Sequence, residues 1–190
     1  MNLQKINIKI FAEPVEHIDL RDFFPVFNRW IQEKQNDELL LDVADYSLVP
    51  SGPGMMLIAH EANWQLEFGP EDRLGLRYAV KVEHEGSNVD RLFHAFVGAV
   101  SAVERFENDS NLPVPLNFNK KEFLITINSR IIAPNSETTL ENIQTDLTEF
   151  LTTVFSGKDY QFEHSSKDPR ERFSVVVKSD FEFRSLKLKV

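Results

Sequence analysis

Cysteine is absent from the 190 residues. That excludes disulfides, thiol nucleophiles, iron–sulfur clusters and every zinc site built on thiolates. Glycine is scarce, with 7 residues, and none falls in a G-x-x-x-x-G-K-[ST] or G-x-G-x-x-G phosphate loop or a G-x-S-x-G elbow. An H-E-x-x-H zinc helix is missing too, so no cofactor is expected. Positive charge is short: 21 Lys and Arg face 30 Asp and Glu, for a formal net charge of −9. A nucleic-acid or anionic-membrane surface needs a basic patch, and this balance argues against both. Long apolar runs are lacking as well. The nearest to one, Leu92 to Val103, is interrupted by His94 and falls short of the roughly 20 residues that cross a bilayer. The first residues, MNLQKINIKIF, alternate like a strand and do not resemble a secretory leader, so a cytoplasmic location is expected.

What is abundant is phenylalanine, 16 residues against 3 tyrosines and 2 tryptophans. Phenylalanine brings large apolar area with no polar atom to satisfy, which suits a dry core. Alternation predicts strands at the N-terminus, at Leu39–Ala44 (Leu39, Leu41 and Val43 on one face) and at Met55–His60, Trp64–Phe68 and Leu74–His84. It predicts further strands at Glu122–Asn128, Tyr160–His164 and Phe173–Lys178, with Phe181 and Phe183 prolonging the last and a bulge near Ser185. Helical spacing predicts three helices. The first carries Phe23, Phe27, Trp30 and Ile31, with Pro25 near its start and Asp19 or Asp22 as cap. The second runs from about Val89 to Phe106, and its Ala95, Gly98, Ala99 and Ala102 permit either close packing on the sheet or a self-complementary dimer contact. The third runs from about Thr138 to Phe155, opened by Thr138-Thr-Leu-Glu141 and closed by Gly157.

Three blocks recur in the same order. Residues 38–51 align on 122–135, Trp64-Gln-Leu-Glu67 on Tyr160-Gln-Phe-Glu163, and Arg73–Lys81 on Arg170–Lys178. The expectation is one α+β domain over residues 1–190: a mostly antiparallel sheet from two related units, about 3–84 and 74–184, sharing strand 74–84 and covered by about three helices.

Two constellations bear on chemistry. His60, His84, Asp90 and His94 lie at predicted strand ends and the start of the second helix, and could converge at one rim for acid–base work or metal binding. Between Glu33 and Asp72, nine acids (Asp37 and Glu71 among them) stand against one base, Lys34. Asp42, Asp45, Glu61 and Glu67 are the binding candidates of this acidic face, which would attract a basic protein or a hard cation. Arg184, Lys187 and Lys189 form a small basic counterpart near the C-terminus. With no catalytic signature, the leading expectation is a non-enzymatic interaction or ligand-sensing module, a homodimer whose partner is a basic protein or a small molecule. The alternative is a small acid–base or metal-assisted hydrolase or lyase using the His/Asp rim.

Overall fold

Alternating Ile6, Ile8 and Ile10 place one face of β1 (Ile6–Ala12) in the core, and Asn7 and Lys9 on the other. The same logic builds β2 (Leu40–Tyr46), β3 (Gly54–Ala59), β4 (Ala62–Glu67), β5 (Gly75–Val80), β6 (Phe118–Ile127), β7 (Gln161–His164) and β8 (Ser174–Lys178). A computed structural model describes residues 1–34, 38–69 and 72–183. The strands form one antiparallel sheet in the order β2-β3-β4-β5-β1-β6-β8-β7, and with three helices this is the expected α+β fold.

The helices all lie on the Ile8 face. α1 (Phe24–Glu33) follows a short 3-10 turn, Leu20–Phe23, capped by Asp19, and sets Trp30 against Trp64 of β4. α2 (Asn88–Asn108) crosses β1 and β5 and places Phe96 5.2 Å from Phe123 of β6. α3 (Glu137–Val154) adds Phe150 to the same cluster. The small residues of α2 serve packing within the chain: a Cβ on Gly98 would sit 2.5 Å from the Tyr78 ring of β5.

The structure differs from the sequence reading in the following places. Leu39 and Leu41 are exposed and Leu40 is buried, because a bulge between Leu40 and Asp42 shifts the register of β2. α3 is capped by Ser136, whose hydroxyl accepts from the Thr139 amide, two residues earlier than the Thr138 box implies. The last strand stops at Lys178; Phe183 instead packs edge-on against Phe96 and Phe123. The proposed bulge near Ser185 and the basic Arg184, Lys187 and Lys189 lie outside the described residues. The aligned strands of the two units also hold unequal places: β2 is an edge strand bonded to β3, whereas β6 is interior, between β1 and β8. The likeness in the sheet runs through β4-β5-β1 and β7-β8-β6, which mirror each other about the β1–β6 pair. A mirrored strand order is a property of the layout and does not make the halves duplicates.

Candidate functional site

With every helix on one face, the other face would ordinarily be a solvated polar surface. Here it is concave. The turn before β3 (Ser51, Gly52, Pro53) and the connection from β7 to β8 (Ser165, Arg170 to Arg172) come from opposite edges of the sheet, and both wall a cleft of about 820 Å³ over its centre. The floor is supplied by successive strands in register: Asn63 and Gln65 of β4, Arg77 and Ala79 of β5, Asn7 of β1, Thr126 of β6 and Ser174 of β8.

That floor is polar and yet largely buried: Asn7, Arg77, Thr126 and Ser174 are buried, and Asn63 and Gln65 are half-buried. Arg77 Nε donates to Glu67 Oε1 at 2.7 Å, and its Nη1 reaches Thr126 Oγ1 at 3.4 Å; Thr126 and Ser174 share a 2.9 Å hydroxyl bond. Beside Arg77 on the same face, Lys9, 0% exposed, donates to the Phe68 carbonyl at 2.7 Å and lies 3.7 Å from Glu67. The side-chain oxygens of Asn7 and Asn63 are buried with no hydrogen-bond partner among the described residues. Six basic side chains line the cleft against two acidic ones, Glu67 and Glu171. Five of the six (Lys5, Lys81, Arg130, Arg170 and Arg172) gather where β1 and β8 begin and β5 and β6 end. Arg170 is paired with Asp168, and Lys81 donates to the Ala59 carbonyl; Lys5, Arg130 and Arg172 have no ion pair among the described residues. A protein with net charge −9 thus carries a locally positive cleft.

The four acids expected to form one face are dispersed. Glu67 is 4% exposed and belongs to the floor of the cleft. Glu61 lies in the β3–β4 turn, 3.7 Å from His94. Asp42 and Asp45 are exposed on β2, Asp42 accepting from the Val43 amide and Asp45 from Ser47. Among the described residues β2 is an edge strand, on which Leu41 and Tyr46 are also exposed, with Leu39 just before it; carboxylates on such an edge oppose its pairing with a second copy of itself. Other acids of the stretch hold the fold together. Glu33 pairs with Arg29 and Arg105, and Glu38 accepts from the Ala62 amide, the Trp64 indole and the Tyr78 hydroxyl. Burial, and then the Glu38 charge, push the Tyr78 hydroxyl well above its ordinary value, so it remains a donor. Asp37 and Glu71 lie outside the described residues.

Of the histidine rim, the structure brings two members together and adds one. His84, in the loop after β5, lies against His94 of α2 with ring centroids 3.7 Å apart and planes tilted by 38°, and Glu61 completes a group whose ligand atoms all lie within 4.8 Å of one another. Both Nε2 atoms are buried without a hydrogen bond among the described residues. Burial first, and then the neighbouring His84, hold His94 below the usual imidazole value, against the pull of Glu61. Asp90 is engaged elsewhere: with Ser87 it makes the capping box of α2, which also holds its carboxyl low. His60 is exposed at the end of β3, outside the three-residue group.

Compared with protein-family models, curated proteins and solved structures, the chain matches none of them. No helix among the described residues is long and apolar enough to cross a membrane. The cleft is the candidate site that sequence reasoning missed. Its signal was present as the polar half of each alternating strand (Asn7 and Lys9, Asn63 and Gln65, Arg77, Thr126), but the pairing that stacks those halves into one floor is not written in any single segment.

Proposed function

We propose that this protein is a non-enzymatic ligand-binding module whose ligand is a small anion, a carboxylate- or phosphate-bearing molecule, seated in the concave cleft. One observation carries the reading: a buried polar floor containing Arg77 and two unpartnered asparagine oxygens, beneath a rim with five basic side chains at one end. The anionic group belongs at that end, where charge-assisted bonds to arginine are strongest. The Asn7 and Asn63 oxygens, further along the floor, call for N–H or O–H donors on the ligand's body. A volume near 820 Å³ suits a metabolite-sized molecule. No aromatic side chain lines the cleft, so a nucleobase has nothing to stack on, which disfavours single-stranded nucleic acid as the occupant.

Thermal unfolding at low ionic strength, with inorganic phosphate, citrate or a short oligonucleotide added, tests this. Phosphate or citrate should raise the melting temperature beyond equimolar chloride, and added salt should weaken the effect. Arg130→Glu with Arg172→Glu, both at exposed positions, should abolish it while leaving the unliganded protein folded. The reading is sunk if neither anion stabilises the protein above chloride, if the double variant responds like the parent, or if the oligonucleotide binds more tightly than both anions.

A further inference from the structure

We propose that Glu61, His84 and His94 form a binding site for a borderline divalent transition metal of the zinc type. None of the three lines the cleft, so the inference stands apart from the anion reading. Two imidazole nitrogens and one carboxylate oxygen are a donor set that zinc accepts readily, and that nickel and copper accept as well. Their ligand atoms lie within 4.8 Å of one another. A tetrahedral ion with bonds near 2.0–2.1 Å needs them about 3.3 Å apart, so the widest pair closes by up to about 1.5 Å through side-chain rotation, which also moves the two rings apart. The backbone under each ligand is fixed. His84 exchanges hydrogen bonds with the Gln4 side chain in both directions and receives one from Arg91 at its carbonyl. The Glu61 amide donates to Glu38, its carbonyl accepts from the Lys81 amide, and His94 sits two turns into α2. Two buried Nε2 atoms with no hydrogen bond among the described residues are costly to leave unmet, and a metal satisfies both at once. The Glu61 side chain is 45% exposed, which leaves an entry path and a coordination position for water.

Titration calorimetry of the untagged full chain with Zn²⁺, together with the visible absorption of added Co²⁺, tests the site. One equivalent should bind, with intense tetrahedral Co²⁺ bands and a metal-dependent rise in melting temperature. His84→Ala, His94→Ala and the gentler His94→Gln should each weaken binding by on the order of 100-fold, at or beyond the top of the range for losing a mere supporting contact. Glu61→Gln should weaken it less, and His60→Ala should leave it unchanged. Circular dichroism without metal separates a misfolded variant from a folded one that has lost a ligand; where an alanine variant misfolds, His94→Gln and Glu61→Gln carry the test. The assignment is overturned if the parent takes up no stoichiometric metal, if the folded histidine variants bind as the parent does, or if His60→Ala abolishes binding.

Discussion

Replacing Glu67 by glutamine removes the carboxylate on which the floor of the cleft depends and leaves the shape nearly unchanged. Glu67 is 4% exposed, with Arg77 Nε at 2.7 Å and Lys9 Nζ at 3.7 Å, and both cations are themselves buried. Removing one partner of a buried pair costs about 3–5 kcal/mol, because the remaining charge stays desolvated without its counterion. Glutamine can still accept from the Arg77 Nε–H, so the expected loss lies near the lower end, about 3 kcal/mol, or on the order of 10 °C in melting temperature. The control is Glu122→Gln, at the bidentate pair with Arg73, where the guanidinium is 47% exposed and the loss should stay within about 1 kcal/mol. Urea unfolding followed by tryptophan fluorescence reads both, through a lower midpoint at unchanged slope. Glu67→Gln also makes the cleft more positive, so inorganic phosphate should stabilise this variant more than the parent. If Glu67→Gln costs no more than Glu122→Gln, the floor is wet and screened, and the account of it as a desolvated ionic network fails.

Two further outcomes follow from the packing and the caps. Gly98→Ala gains about 1 kcal/mol of helix propensity, but its Cβ would sit 2.5 Å from a Tyr78 ring that is buried and tied to Glu38. Overpacking of about 1–3 kcal/mol should win, so a lower urea midpoint is expected, and a higher one would show that Tyr78 yields. For Asp109, burial alone would raise the carboxyl, but bonds from Arg29, the Asn111 amide and the Trp30 indole more than offset it and hold it below the ordinary carboxylate range. Because its folded value is depressed, Asp109 contributes stability that is present above the unfolded value and is lost as pH falls through the folded one. Asp109→Asn should therefore lower stability at pH 7 and flatten this part of the acid limb; an unchanged acid limb would refute the assignment.

Legibility in the sequence followed the range of the interactions. Strands and helices set by local alternation and spacing, such as Ile6, Ile8 and Ile10 or the Phe96 stripe of α2, lie where the pattern puts them. β2 escaped because a bulge is a pairing event, and the sequence of one strand does not register it. Of the histidines, His84 and His94 were legible as strand-end and helix-face residues, whereas Glu61 entered the acidic list without a link to them, since only the β4–β5 pairing and the seating of α2 bring the three together. The acidic stretch misled because charge counts do not say which carboxylates are spent internally; Glu33, Glu38 and Glu67 all are.

The floor of the cleft is the hardest feature to explain as architecture alone. Buried ion pairs of this kind are often replaceable by apolar residues of similar size at no loss, and sometimes with a gain of about 1–4 kcal/mol. The centre of an antiparallel sheet, already walled by turns from both edges, would accept such residues on steric grounds, as β6 does with Leu124 beside Lys9. Instead, Asn7, Lys9, Glu67, Arg77 and Thr126 are all less than 9% exposed, and two asparagine oxygens go unmet. Stability gives no reason to keep polarity where it is desolvated and incompletely paired. Positions that break the local rule without a compensating contact are where function is expected to lie. A ligand that brings negative charge to the basic end and donors to the asparagine row beside it would supply the missing partners. That complementarity, more than the volume of the cleft, is the reason to begin the search with small anions.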